Sequence, residues 1–150
     1  MIRIWAHRGC SFHYPENTLT AFREAVTLPG LTGIETDVQL TKDGVPVIIH
    51  DEKVDRTTDG EGWVKDFTLA ELQALHIKGK DGDVPERIPT LEELLDLLAP
   101  YLKDGLYLNL ELKNSKVLYP GLEQKVVDLV AKYGVESQIV YSSFYARSLS

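Results

Sequence analysis

The stretch that most constrains the fold is residues 33–51, whose pattern predicts a strand, a tight turn and a second strand. Side chains alternate between the two faces of a strand, so Glu35 and Asp37 share one face and the apolar residues share the other. Two carboxylates side by side repel each other, and a bound cation is the simplest reason to place them on a half-buried strand. This face therefore indicates a cation site, and His50 ends the second strand as a titratable group.

Two paths are open between Asp37 and His50. Residues 38–44 are too few for a crossover helix, but at ~3.3 Å per residue they span about 23 Å, enough to run back down beside a strand. That path would place His50 at the C-terminal end of another parallel strand. A Lys42-Asp43-Gly44 turn is equally ordinary in an antiparallel hairpin. The sequence leaves both paths open.

Strands and helices alternate along the rest of the chain, which predicts one α/β domain with a parallel sheet. We count five strands, including runs at residues 2–6, 106–113 and 138–143. Apolar residues at helical spacing predict four helices. The first is capped by Asn17 or Thr18, the second by Thr90, and the others lie at 121–133 and from 144 onward. Residues 52–89 are rich in Gly, Pro and Asp and predict a loop-rich insertion after the third strand.

Polar side chains fall where these strands end. In residues 106–113 the leucines alternate with Asn109, Glu111 and Lys113, so the leucines are expected to face the outer helices and the polar residues to point inward. Barrel enzymes place their chemistry at the C-terminal ends of strands. The residues predicted at such ends are His7, Glu35, Asp37, His50, Glu111 and Lys113.

Composition excludes several classes of function. A net charge of −7 argues against nucleic acid or an anionic membrane surface as a partner. The single cysteine, Cys10, excludes an internal disulfide and a cysteine-based zinc cluster. We see no signal peptide and no apolar run approaching the ~18 residues of a membrane span. A cytoplasmic location is therefore expected.

The residues at the strand ends suit a particular chemistry. Carboxylates from separate strands, here Glu35, Asp37 and Glu111, suit a hard divalent cation such as Mg²⁺ or Ca²⁺. Two histidines on either side of a scissile bond suit general acid and general base roles near neutral pH. Arg8 and Lys113 suit an anionic substrate. An acidic protein that binds phosphate needs a locally positive potential, which the cation and these two basic side chains together would supply.

Four motifs in order resemble the signature of the glycerophosphodiester phosphodiesterase family, from residue 2 to about residue 144. They are His7-Arg8-Gly9, Pro15-Glu16-Asn17-Thr18, Glu35-Thr36-Asp37-Val38 continuing through Thr41-Lys42-Asp43-Gly44 to His50-Asp51, and Glu111-Leu112-Lys113. Family members are TIM barrels with an insertion after the third strand. The resemblance implies a TIM-type (β/α)8 barrel, of which this chain carries about the first five strands.

The resemblance also implies an activity, the metal-dependent hydrolysis of deacylated phospholipids to sn-glycerol 3-phosphate and an alcohol. In related enzymes the substrate's own 2-hydroxyl attacks phosphorus, and water opens the cyclic phosphate. Matched motif by motif, it implies an acid/base pair (His7 and His50), ligands for Mg²⁺ or Ca²⁺ (Glu35, Asp37 and Glu111), phosphate-binding residues (Arg8 and Lys113) and an orienting residue (Glu16).

A closed barrel of this type has eight strands and about 250 residues, more than the 150 present here. Three alternatives follow: a truncated chain, a fragment completed by another chain, or a half-barrel that pairs with itself. Other functions are also open. One is a related barrel phosphodiesterase of the phospholipase D type, and another is a catalytically silent fragment or binding module.

Overall fold

The computed structural model describes residues 3–79, 82–113 and 118–142. The strands are β1 (Trp5–His7), β2 (Gly33–Leu40), β3 (Pro46–Ile48), β4 (Ile77–Gly79), β5 (Gly82–Val84), β6 (Tyr107–Leu112) and β7 (Ile139–Ser142). The helices are α1 (Leu19–Ala25), α2 (Leu69–Gln73), α3 (Leu91–Lys103) and α4 (Leu122–Tyr133). The helix predicted from residue 144 onward lies outside the described residues.

Within the described residues, the main sheet has five strands. Four of them, in the order β1, β2, β6 and β7, are parallel to their neighbours. The fifth, β3, pairs with β2 in the antiparallel direction. This arrangement confirms the predicted α/β fold and its five strands, and it brings the C-terminal ends of the parallel strands to one edge.

The path from Asp37 to His50 is an antiparallel hairpin. Strand β2 continues past Asp37 to Leu40, the chain turns at Gly44 with a φ of 81°, and β3 returns with Ile48 opposite Val38. The Ile49 N–H then donates to the Asp37 carbonyl at 3.2 Å. His50 therefore comes back to the level of Asp37 on the returning limb of the hairpin. Of the two paths that the sequence left open, the antiparallel hairpin is the one observed, so His50 does not end a parallel strand.

The leucine face of β6 packs against helices, as its alternation predicts. Leu108, Leu110 and Leu112 are buried in one core with the apolar faces of α3 and α4. The opposite face of β6 carries the partly exposed Asn109 and Glu111. Because the leucine face of β6 packs in the hydrophobic core, its polar face is available to form a functional site.

Hydroxyl caps begin the helices where the sequence places them. The Thr18 hydroxyl accepts from the Ala21 N–H at 3.1 Å, which makes Thr18 the cap of α1. Thr90 begins α3 with a capping box, in which its hydroxyl accepts from the Glu93 N–H and the Glu93 carboxylate accepts from the Thr90 N–H. Both predicted caps are confirmed for these helices.

The insertion at residues 52–89 contains α2 and the β4–β5 ribbon. It has a small core of its own, in which Val54, Leu72 and Ile77 pack with Val47 and Ile49 of the β2–β3 hairpin. The insertion is therefore held against the limb that carries His50. Within the described ranges, no helix combines the length and apolar character needed to cross a membrane.

Candidate active site

A small cavity lies at the C-terminal edge of the parallel strands and has a volume of about 90 Å³. Strand register brings its walls together, because His7 lies beside Glu35 and Asp37 lies beside Glu111. The lining residues are His7, Glu35, Thr36, Asp37, Asn109, Glu111 and Ser142. The structure thus gathers four of the predicted site residues, His7 and the three carboxylates, around one space.

Strand β1 ends at His7, and a tight turn directly after it places Arg8. Arg8 has a φ of 56° and Gly9 a φ of 78°, both in the left-handed region. A Cβ on Gly9 would lie 2.8 Å from the backbone of Ala21, so glycine is needed for the loop to pack against α1. The Arg8 N–H donates to the Glu35 carbonyl at 2.7 Å. This bond continues the β1–β2 pairing and fixes where Arg8 leaves the sheet.

Asn17 orients the buried carboxylate of Asp37. Its amide group donates to Asp37 Oδ2 at 3.1 Å, and its carbonyl oxygen accepts from the Thr36 hydroxyl at 2.7 Å. The backbone φ of Asn17 is 57°, a region that asparagine tolerates better than most residues. Sequence reasoning treated Asn17 only as a candidate cap. Its place next to Glu16 in a motif was the available signal.

Two basic side chains surround Asp37, which is 2% exposed. Lys113 Nζ lies 3.8 Å from Asp37 Oδ1 and 3.4 Å from Glu111 Oε2, and Arg8 Nε lies 3.9 Å from Asp37 Oδ2. Burial and the neighbouring Asp37 raise the pKa of Glu111, while the positive charge of Lys113 opposes this rise. Positively and negatively charged side chains therefore lie next to each other around Asp37.

The donor set suits a hard cation, because Glu35, Asp37 and Glu111 offer carboxylate oxygens from neighbouring strands. Among the described residues, no three His, Cys, Asp or Glu side chains are grouped closely enough to form a metal site. The Lys113 ammonium takes up contacts to two of the three carboxylates. The ligand types fit Mg²⁺ or Ca²⁺.

His50 lies in a second group of residues beside the cavity. Its Nδ1 is 2.8 Å from Asp51 Oδ1. Hydrogen bonds from Arg56 lower the pKa of Asp51 to about 2, against the opposing effect of partial burial. An ionised carboxylate only accepts hydrogen bonds, so Nδ1 of His50 carries the proton and Nε2 is the nitrogen left for chemistry.

Glu16 joins Arg8 to this second group. Its carboxylate accepts from Arg8 Nη1 at 3.1 Å and from Arg56 at 2.7 and 3.0 Å. Burial raises the pKa of Glu16, but the hydrogen bond from Arg56 and the charge of Arg8 outweigh burial and hold the pKa below its ordinary value. Sequence reasoning identified Glu16 and missed Arg56, which lies in the insertion 40 residues away.

The backbone around His50 is held by a buried glutamine. The Gln39 amide group donates to the carbonyls of Ile49, His50 and Asp51 at 2.8 to 3.2 Å. The Tyr119 hydroxyl donates to the remaining oxygen of Gln39 at 2.7 Å. Gln39 is fully buried, and its role had no signal in the sequence beyond a polar residue on the inward face.

A larger cleft of about 800 Å³ adjoins Glu16 and Arg8. The loop after β1 forms one wall and the β4–β5 ribbon forms the other, with Arg56 and Tyr14 also lining it. The cleft therefore leads from solvent to the residues that connect Arg8 with His50.

We expect Asp51→Asn to destabilise the protein in a way that depends on pH. The folded pKa of Asp51 is about 2 and its ordinary value is 3.8, so its ionised form contributes stability above pH 3.8 that is lost as the pH falls toward 2. The cost, on the order of 1 kcal/mol for this partly exposed pair, should be constant near neutral pH and shrink across that window. Urea unfolding at several pH values measures it.

Asp66→Asn is the matched control, because Asp66 is an exposed carboxylate paired with Lys65 at 3.2 Å. This variant should change the free energy of unfolding little at any pH. A cost for Asp51→Asn that is the same at low and neutral pH would contradict the assignment of the Arg56 bonds as its source.

Comparison with known proteins gives one consistent result. A model of the "Glycerophosphoryl diester phosphodiesterase family" matches residues 7–150. A protein from Caldanaerobacter subterraneus subsp. tengcongensis named glycerophosphodiester phosphodiesterase is 52% identical over 148 residues, which cover 97% of this chain and 59% of that protein.

Solved structures agree with the fold. A glycerophosphodiester phosphodiesterase from Agrobacterium tumefaciens matches with a TM-score of 0.83 and 31% identity, over 99% of this chain and 60% of its own. A phosphodiesterase from Oleispira antarctica, solved with the product sn-glycerol-3-phosphate, matches with a TM-score of 0.80 and 35% identity over the same shares. The predicted TIM-type barrel fold is confirmed, and the chain spans about three fifths of the length of these relatives.

Proposed function

The chain belongs to the glycerophosphoryl diester phosphodiesterase family, and on this premise we propose that it hydrolyses glycerophosphodiesters to sn-glycerol 3-phosphate and an alcohol. The observation that carries the proposal is the cavity at the C-terminal edge of the sheet, where His7 meets three carboxylates from two neighbouring strands. A relative of this fold binds the same product. Chemistry at this edge is the rule for barrel enzymes.

Glu35, Asp37 and Glu111 would hold a divalent cation, Mg²⁺ or Ca²⁺. The bound ion would supply positive charge for the phosphate oxygens as negative charge develops there. Asn17 contributes by holding the Asp37 carboxylate in place through its amide group at 3.1 Å. Three carboxylates with a partner of this kind are typical of a site for a hard cation.

Arg8 and Lys113 would bind the phosphate. Arg8 Nε lies 3.9 Å and Lys113 Nζ lies 3.8 Å from the Asp37 carboxylate, so both positive charges are at the edge of the cavity. Among the buried side-chain nitrogen and oxygen atoms of the described residues, Nε of Arg8 is the one that has no hydrogen-bond partner. A phosphate bound beside Asp37 would interact with both positive charges. An acidic protein needs such local positive charge to bind an anion.

His7 and His50 would transfer the protons. One takes the proton of the attacking hydroxyl, and the other gives a proton to the oxygen of the leaving alcohol. His7 is exposed at the cavity, and His50 presents Nε2 because Asp51 holds its Nδ1–H. Placing the substrate between two groups already in position removes much of the entropic part of the barrier.

Product identity tests the proposal directly. We expect the protein, incubated with glycerophosphocholine and Mg²⁺ or Ca²⁺, to release sn-glycerol 3-phosphate and choline, which ³¹P NMR distinguishes from choline phosphate. Release of choline phosphate would contradict the proposed cleavage site. No release, from protein shown by circular dichroism to be folded, would contradict the activity and favour a silent binding module.

A further inference from the structure

We propose that Arg56 is a positioning residue that holds His50 and Arg8 in one arrangement, although it does not touch the reacting atoms. The inference rests on the proposed function, because that function assigns the proton transfer to His50 and the phosphate to Arg8. Arg56 belongs to the insertion, and it is absent from the lining of the small cavity. Arg56 lines the larger cleft, and its contacts toward His50 and Arg8 run through Asp51 and Glu16.

On one side Arg56 fixes the partner of His50. Its Nε and Nη2 donate to the two oxygens of Asp51 at 2.8 and 3.0 Å. Asp51 Oδ1 is in turn 2.8 Å from His50 Nδ1. A forked pair of bonds sets the plane of a carboxylate as well as its distance. The plane of Asp51 then decides whether the Nδ1–H of His50 has an acceptor.

On the other side Arg56 fixes the partner of Arg8. Its Nη1 and Nη2 donate to the two oxygens of Glu16 at 2.7 and 3.0 Å. Arg8 Nη1 donates to the same carboxylate at 3.1 Å. Glu16 is therefore shared between two guanidinium groups, and a shift of Arg56 would release the carboxylate that steadies Arg8.

Stability alone does not explain this arrangement. The Arg56 side chain is 50% exposed, so solvent screening limits what its ion pairs contribute to the free energy of folding. Yet its guanidinium donates four hydrogen bonds to the carboxylates of Asp51 and Glu16. These two carboxylates in turn contact His50 and Arg8. A lysine would keep the charge and lose the fork, because an ammonium cannot pair with two carboxylates in this planar geometry.

The test compares Arg56→Gln and Arg56→Lys with Arg87→Gln, a control in which an exposed guanidinium paired with Glu93 is removed. We expect both Arg56 variants to stay folded and to keep divalent-cation affinity, with a loss of thermal stability no larger than that of Asp51→Asn, because the same hydrogen bonds are removed. Their kcat should fall by roughly 10- to 100-fold, the size expected when positioning is lost, with KM changed much less. About 20 mM guanidinium ion should restore part of the activity of Arg56→Gln, because it can refill the fork.

A second readout does not depend on activity. The ¹⁵N spectrum of the His50 imidazole should show the Nδ1–H tautomer in the native protein and a mixture of tautomers in both Arg56 variants. Unchanged kcat together with an unchanged His50 spectrum would overturn the proposal. A rise in KM at unchanged kcat would also overturn it, since Arg56 would then bind substrate directly. Should the native protein release no glycerol 3-phosphate, the proposed function fails while the imidazole spectrum still decides whether Arg56 positions His50.

Discussion

Replacing His50 with alanine should lower kcat by about 10³-fold, the contribution typical of a positioned acid or base. The affinity for a divalent cation should stay the same. The reason is geometric, because the His50 side chain pairs with Asp51 on the returning limb of the hairpin and is not part of the carboxylate cavity. Steady-state kinetics and calorimetric titration of Mg²⁺ or Ca²⁺ measure the two effects separately.

His76→Ala is the matched control for this prediction. His76 also pairs with an aspartate, since its Nδ1 lies 3.1 Å from Asp59 Oδ2, but the pair is exposed on the insertion. Its loss should leave both kcat and cation affinity unchanged. If His50→Ala lost the cation together with turnover, His50 would be acting as a ligand and not as the acid or base.

Glu35→Gln should have the opposite pattern, weakening the divalent cation first. Glu35 lines the cavity between His7 and Asn109 in strand register. Loss of a side chain that only supports a metal ligand typically lowers metal affinity by roughly 10- to 100-fold. Removing the charge of the ligand itself should lower cation affinity by at least about 10-fold. Activity should fall at low cation concentration and recover in part when the concentration is raised.

Glu61→Gln provides the control, because Glu61 is an exposed glutamate on the insertion. It should bind the cation like the native protein. A Glu35→Gln variant with native cation affinity and reduced kcat would contradict the assignment of Glu35 as a ligand. The tautomer of His50 should be the same in both variants, which separates damage at the cavity from damage at the hairpin.

Local patterns were sufficient to predict the elements of the fold that depend on neighbouring residues. The alternation around Leu108 and Leu110 predicted which face of β6 would be buried, and the caps at Thr18 and Thr90 are confirmed. The path of the β2–β3 hairpin was left open, because a short turn at Gly44 suits both strand directions. Only the pairing of β3 with β2 decides it, and pairing depends on the fold as a whole.

The site was predicted in part for the same reason. Residues on the ends of strands, such as Glu35 and Glu111, could be placed because parallel strands share an edge. Arg56 could not be placed, since it reaches Glu16 from a separate unit through contacts that leave no periodic signal. Asn17 was mistaken for a cap candidate because its left-handed backbone and its bond to Asp37 become visible only in three dimensions.

The most direct test of the central claim is a single titration of Mg²⁺ or Ca²⁺ into metal-stripped protein, followed at once by calorimetry and by release of sn-glycerol 3-phosphate. If Glu35, Asp37 and Glu111 hold the ion that the reaction needs, the concentration that half-saturates binding should equal the concentration that half-activates hydrolysis. Excess EDTA should then abolish both signals. Hydrolysis that continues at full rate in EDTA would contradict the account.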